Sequence, residues 1–357
     1  MIMKKQLLLL VLMLLPMVAS ADAVEIDGIY YNLDSSAKTA EVTSNPNTYN
    51  GTIIIPETVS YEGVKYNVTS IGAWCFTNCG YNHLDVTIGD NVKTVGENAF
   101  RACYNLYKLT IGKSVASFGN KCFYKCKPEN VIIKDLANWC YVDYGTSGNG
   151  ANPISYAKHV YVNDEELVNL VIPEGVTLIN DFAFYGCEGI ETVTIPYSVE
   201  TIGEYAFGYC YNIKSALIGN GVKRIKRWAF SSGYKLEQLS LPQKLEIIDD
   251  GAFDNCSGLK SVTIGNEIKS IGSFAFGECQ ELLDFYCYAN NVPNTITDAF
   301  YESPIGNATL HVPAASVDAY KAADPWKNFK NIIPLGNYYK FKLEILSTTL
   351  IRVVRAK

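Results

Sequence analysis

The sequence predicts a repeat solenoid, mainly β, in which short parallel strands are joined by return segments and few short helices, with about eleven rungs of 23 residues. Three observations predict it. Four consecutive rows, starting at Ile190, Ile213, Leu236 and Leu259, align at a period of 23 without a gap. Apolar residues open each row at its first, fourth and sixth places. One phenylalanine recurs in every row.

The opening places, such as Ile190, Val193 and Ile195, have the period-two spacing of a strand with one buried face. Pro or Gly then ends it, at Pro56, Gly89, Gly112, Pro173, Pro196, Gly219, Pro242, Gly265 and Pro313, because proline lacks the ladder donor and glycine weakens a strand. A second apolar pair follows, Val199 with Ile202 or Ile268 with Ile271. It forms a return wall. The phenylalanine slot holds Phe76, Phe100, Phe123, Phe184, Phe207, Phe230, Phe253, Phe276 and Phe300, so stacking places these rings in a column. Burying each contributes roughly 1.5–3 kcal/mol. After the second apolar pair stand Gly72, Gly96, Gly119, Asn180, Gly203, Lys226, Asp249 and Gly272. Most of these residue types tolerate positive φ, so a left-handed corner is expected there, with Lys226 divergent.

A single rung cannot cover its own apolar faces, so the ends need caps. IYYNL and TAEVT read as a hairpin, followed by TIIIP and an enlarged loop, VSYEGVKYNV. At the other end, ATLHVPAASVDAYKAADPWKNFKNIIP reads as a last strand and a short helix that Pro325 interrupts or ends. The period fails between Cys126 and Leu167. The resulting division is 22–66 for the N-terminal β cap and first strand, 67–129 for regular rungs, 130–166 for one enlarged rung, 167–306 for regular rungs, 307–336 for the C-terminal cap and 337–357 for a tail.

The chain starts with MIMKK, an apolar run and small residues at Ala19, Ser20 and Ala21, the pattern of a signal peptide over 1–21, with cleavage after Ala21 or Ala23. Export is expected, to the medium or the cell surface, with the periplasm open as a location. The absence of cysteine before Cys75 argues against a lipid anchor at the new N-terminus. Beyond the signal there is no apolar stretch of about 18 residues that would span a bilayer. The tail from Phe341 alternates apolar and polar residues but carries Lys342, Glu344, Arg352 and Arg355, and reads as one or two strands or as disordered. A net charge of −6 argues against nucleic acid as a partner.

The row L-x-x-V-T-I-P-x-x-V-x-x-I-G-x-x-A-F-x-x-C, near-complete at 190–212 and 259–281, resembles the BspA-like leucine-rich-repeat surface proteins of bacteria and some protists. The resemblance spans roughly 51–334 and includes the enlarged rung and the VPAASVDAYKAADPWKNF ending. It implies a leucine-rich-repeat fold on a secreted or cell-surface protein and, in some members, adhesion to host matrix proteins or other cells. The motif is a scaffold motif and carries no binding residue. Gly233 in the cysteine slot, Lys226, and a tail without a recognisable anchor depart from it.

Chemistry is sparse. Cys75 with Cys79 and Cys122 with Cys126 have the look of metal or redox pairs, yet Cys75 and Cys122 fill the small slot held elsewhere by Ala99, Ala183, Ala206, Ala229, Ala252 and Ala275. The regular row Cys79, Cys103, Cys126, Cys187, Cys210, Cys256 and Cys279 lies within disulfide reach from coil to coil, but its parallel Cβ vectors favour free, buried thiols. The only histidines, His83, His159 and His311, make no triad by spacing, so no catalytic residue, metal or cofactor is assigned. Outward strand positions are small and polar, among them Thr87, Thr192, Thr194, Ser215, Ser240 and Thr263, and read as cross-strand ladders. Two features stand out against this. Tyr104, Tyr211 and Tyr234 share one edge slot, and Tyr211 and Tyr234 fall on adjacent rungs, where an amphipathic patch suits protein or sugar contact. Lys214, Lys223, Arg224, Lys226 and Arg227 crowd one rung, either as a solvated face or as a site for an acidic partner. The expected function is a non-enzymatic adhesion module that binds an extracellular protein, with a glycan-binding or structural envelope role as the alternative.

Overall fold

The computed structural model describes residues 23–79, 83–145 and 150–336. The expected signal peptide and the tail lie outside the described residues. Within them the chain winds as a β-solenoid of about eleven turns. Each regular coil has three sides. In the row 190–212, Thr192–Ile195 forms the first side and Thr201–Ile202 the second. A run of tight turns through Tyr205, Phe207 and Tyr209 forms the third.

Residues one repeat apart pair in parallel, Val193 with Ala216, Leu239 with Val262 and Val262 with Phe285 on the first side, Ile202 with Ile225 and Ile225 with Ile248 on the second. The third side has its own ladder. The N–H groups of Tyr205, Phe207 and Tyr209 donate to the next coil at Arg227, Ala229 and Ser231, whereas those of Ala206, Gly208 and Cys210 donate back to Gly203, Tyr205 and Phe207. Inside, the phenylalanines stack as the period requires. Phe184 to Phe207, Phe207 to Phe230, Phe230 to Phe253 and Phe253 to Phe276 have centroid separations of 5.3, 4.9, 5.5 and 5.4 Å, with planes within 15°.

The left-handed corner falls elsewhere than expected. None of Gly72, Gly96, Gly119, Asn180, Gly203, Lys226, Asp249 or Gly272 has positive φ; the left-handed residues stand two places further on, at Trp74, Asn98, Lys121, Phe182, Tyr205, Trp228, Gly251 and Phe274. Glycine serves a different need in the corner. A Cβ on Gly96 would lie 2.5 Å from the Ala73 nitrogen, and one on Gly203 2.5 Å from the Asn180 carbonyl carbon, so it is close approach of adjacent coils that selects it. Where a side chain is present it is put to use. The Asn180 amide donates to the Val142 carbonyl at 3.1 Å, and Lys226 reaches Asp181 at 2.9 Å.

VSYEGVKYNV forms a second hairpin rather than an open loop, Thr58–Tyr61 against Val64–Ile71, closed by Glu62 and Gly63 at φ of 48° and 77°. Two consecutive positive φ values are what a tight hairpin turn demands. The first hairpin, Ile29–Asp34 with Thr39–Val42, is present as read.

Segment 130–166, read from sequence as one enlarged rung, contributes two first-side strands. Asn130–Ile133 and His159–Val162 pair in parallel, and Glu165–Glu166 folds back antiparallel on the latter. Between them, Asp143 bridges to Ser117 on the second side, and Pro153–Tyr156 supplies the third side. The phenylalanine column is interrupted here. Phe118, Trp139 and Tyr144 pack beside Phe123 in its place, and the Trp139 indole donates to the Ala183 carbonyl at 2.9 Å.

At the C-terminal end, helix Val317–Ala322 stops before Pro325, and Asn331–Pro334 adds one more parallel strand beyond the one expected. Trp326, fully buried against Phe285, Phe300 and Tyr320, plugs the open end of the core.

Candidate functional site

The third side presents four outward slots per coil, two places before the core phenylalanine and one, two and four places after it. On the three coils of Phe184, Phe207 and Phe230 these slots hold Phe182, Tyr185, Tyr205, Tyr209, Tyr211, Trp228 and Tyr234. They form one continuous field. Phe182 stacks on Tyr205 at 5.4 Å and Tyr205 on Trp228 at 6.0 Å. Tyr211 stacks on Tyr234 at 5.1 Å with planes 11° apart. Edge contacts tie the two stacks together, Tyr185 to Tyr209 at 5.4 Å and Tyr209 to Tyr211 at 6.0 Å with planes 87° apart. The Trp228 indole lies over Gly251, where a Cβ would come within 2.3 Å of the ring.

Phe182, Tyr205, Tyr209 and Trp228 all sit in the left-handed region, φ 62°, 52°, 60° and 56°. For an L residue with a bulky side chain this costs about 1–2 kcal/mol each. The ladder between coils holds them there, since the N–H groups of Phe182, Tyr205, Tyr209 and Trp228 all donate to the following coil. The backbone therefore aims these rings outward. Tyr209 and Tyr234 are exposed, Tyr185, Tyr205, Tyr211 and Trp228 half-buried, and Phe182 buried. Burial, followed by neighbouring phenols, pushes the Tyr185 hydroxyl up to about 12 and raises those of Tyr205 and Tyr211, so they remain protonated donors at neutral pH.

Of the residues singled out from sequence, Tyr211 and Tyr234 lie in this field. Tyr104, exposed, occupies the same slot but stands beyond segment 130–166 and outside the stack. The basic residues are brought together but are already partnered. Lys214 meets Glu191 at 2.9 Å, Lys223 meets Glu200 at 3.0 Å, Arg224 meets Asp249 at 2.9 Å and Arg227 meets Asp250 at 3.5 Å, each acid one coil away. A partner would have to displace these acids, so the group offers little free positive field. Sequence reasoning missed Phe182, Tyr185, Tyr205, Tyr209 and Trp228. The signal was present in the aligned rows, as aromatic residues flanking the core phenylalanine in three successive coils.

All eleven cysteines are free and buried. In the regular row the thiols donate across coils, Cys210 to the Phe184 carbonyl at 3.1 Å, Cys256 to Phe230 at 3.3 Å and Cys279 to Phe253 at 3.5 Å; Ser303 fills the same role towards Phe276 at 2.7 Å. Burial pushes the Cys187 and Cys256 thiols up to about 12, far from thiolate chemistry at neutral pH. Each histidine lies against a carboxylate on its own part of the first side, His83 with Asp85, His159 with Glu166 and His311 with Asp284. Among the described residues no three His, Cys, Asp or Glu side chains gather closely enough to hold a metal ion, and no helix is long and apolar enough to cross a membrane.

The family model for the BspA type leucine-rich repeat region matches this chain in six copies, over residues 55–140 and 155–283. The chain belongs to the BspA-type leucine-rich-repeat family. The unmatched residues between the two blocks fall within segment 130–166, where the coil departs from the repeat. The fold is similar to that of a leucine-rich repeat protein from Bacteroides ovatus, at 24% identity over 87% of this chain and 76% of that one, with a TM-score of 0.59. It is also similar to that of the pneumococcal vaccine antigen PcpA, at 15% identity over 88% of this chain and 99% of that one, with a TM-score of 0.50. No functionally curated protein is significantly similar in sequence. At these identities the likeness is one of fold alone; membership of the repeat family is consistent with a protein-interaction module.

Proposed function

We propose that this BspA-type protein is a non-enzymatic adhesion module, exported and acting outside the cell or at its surface, that takes a protein partner on the aromatic field of its third side. The observation that carries this reading is the herringbone of rings from Phe182 to Tyr234 on three adjacent coils, in which Tyr205, Tyr209 and Trp228 are set by left-handed backbone. Tyrosine rings with protonated hydroxyls and a tryptophan with its indole N–H combine apolar area with directional donors, the composition enriched at the centres of protein interfaces. A sugar stacks on a ring face. Here Tyr205 stacks against both Phe182 and Trp228, and Tyr211 and Tyr234 face each other, which favours a protein over a glycan. The exported setting is supported by the signal-like N-terminus of the sequence.

Binding of the protein to arrays of extracellular proteins and of glycans, each with wild type and with the Tyr209→Ala, Tyr211→Ala double variant, tests this. Protein signals lost in the double variant are expected; glycan signals without protein signals would reverse the assignment. Protease treatment of intact cells tests the location, and protection of the protein would place it in the periplasm.

A further inference from the structure

We propose that the third side docks on a second copy of this chain, turned antiparallel about a two-fold axis that passes through the aromatic field. This rests on that wall being the interaction surface, and it names the partner. The outward slots change character along the wall. On the coils of Phe100 and Phe123 they carry Arg101, Lys121, Lys125 and Lys127; on the coils of Phe253, Phe276 and Phe300 they carry Asp254, Glu278, Asp298 and Glu302. The aromatic field lies between, with Glu188 on the coil of Phe184 as its one charged slot. Counted along the phenylalanine column from Phe76, with Pro153–Tyr156 supplying the fourth coil, the basic slots fall on the second and third coils, the rings on the fifth to seventh and the acids on the eighth to tenth. An antiparallel copy that sets the second and third coils on the other's ninth and eighth puts the axis between the fifth and sixth coils, at the rings of Tyr185 and Tyr209, and leaves Asp298 and Glu302 beyond the paired charges.

That antisymmetry about the aromatic centre is what a two-fold interface needs, because an isologous contact brings the same patch against itself in reverse. A foreign partner imposes no such condition. The charges are also available. Elsewhere the chain pairs its cations internally from coil to coil, Lys223 with Glu200, Lys260 with Glu237 and Lys269 with Glu246. Among the described residues none of the eight charges at the two ends makes an ion pair; Arg101 instead lies over the rings of Trp74 and Tyr124, at 5.5 and 5.7 Å. Of the acids next to the basic group, Glu97 accepts from the Asn98 amide and Glu129 pairs with Lys158. At the acidic end, Asp254 faces Glu278 without a cation. Complementary charges at the two ends fix register, and the rings supply the apolar centre.

The test is sedimentation equilibrium of the full chain at concentrations up to roughly 100 μM, at low and high salt. Wild type is expected as a concentration-dependent dimer that weakens with salt. Arg101→Glu with Lys125→Glu, and separately Asp254→Lys with Glu278→Lys, should each weaken self-association by roughly tenfold or more. Mixing the two double variants should restore a dimer, because the acids at positions 101, 125, 254 and 278 of one then meet the cations at the same four positions of the other; this rescue also shows that both variants are folded. A monomeric wild type, a dimer indifferent to both reversals, weakening without rescue, or open-ended polymers would each overturn the two-fold pairing. A monomer that still binds the protein array, with loss on Tyr209→Ala and Tyr211→Ala, would sink this inference alone. Loss of array binding by wild type with the dimer intact would sink the heterologous reading and leave the pairing.

Discussion

Two sets of aromatic rings run along this solenoid, and they differ in what fixes them. The inner phenylalanines are fully or almost fully buried, one per regular coil, at nearly constant spacing. The outer rings are densest on three coils, meet there both face to face and edge to face, and range from buried at Phe182 to exposed at Tyr209 and Tyr234. The repeat itself explains the contrast. Volume in the core is the same in every coil, so the inner slot admits one residue type, whereas an outward slot is constrained only by backbone hydrogen bonds and is free to carry rings, cations or acids. In such a scaffold the departures between coils at outward slots are the place to look for specificity.

The contrast breaks first in the core. Phe230→Ala removes a ring stacked between Phe207 and Phe253 and should destabilise the protein by about 3–5 kcal/mol, read by denaturant unfolding. A loss below about 1 kcal/mol would mean that the column is not continuous. Cys256 offers a milder probe of the same interior. Its thiol donates to the Phe230 carbonyl, so Cys256→Ala should lose about 1–2 kcal/mol while Cys256→Ser, which copies the natural arrangement at Ser303, should lose less. Equal losses would remove the hydrogen bond from the account.

On the outer side the expected split is between stability and binding. Tyr209→Ala with Tyr211→Ala should lower stability by only about 1 kcal/mol while abolishing capture on the protein array, because half-exposed rings bury little on folding. A melting transition lowered as far as that of Phe230→Ala would make these rings structural. The smallest effect belongs to Asp254. Burial, and then Glu278, push its carboxyl from 3.8 up to about 6. A carboxyl raised on folding contributes stability that is full below its unfolded value and is lost as pH rises through the folded one. Asp254→Asn should therefore leave the melting temperature little changed near pH 4 and raise it slightly above pH 7. Parallel pH profiles for the two proteins would contradict the assignment.

Much of the fold was legible in the rows. The phenylalanine column, the strand stops and the first-side strands follow from side-chain period alone, because equivalent positions in a solenoid must stack. The hairpin at Glu62–Gly63 was legible too, in an E-G pair between alternating segments, yet was read as a loop. Other features were not legible. Glycine at Gly96 and Gly203 answers to the neighbouring coil, and nothing within one row distinguishes that demand from a need for positive φ. In segment 130–166 the strand and turn of HVYVNDEEL were legible, but with no register to follow once the period fails, its pairing with Asn130–Ile133 appears only in the structure.

The site divides in the same way. Sequence alone determined that Tyr211 and Tyr234 are neighbours, since one period separates them and the period is the spacing between coils. Only the tertiary structure decided that the row Phe182, Tyr205 and Trp228, also one period apart, leaves the backbone on the same wall as Tyr211 and Tyr234, and that Lys223, Arg224 and Arg227 do not offer free charge. The reason is physical. Stacking relates one coil to the next by a fixed translation, which a sequence records as a period, but which way a side chain leaves the backbone and whether a neighbour already satisfies it depend on φ and on contacts across coils, which no single row contains.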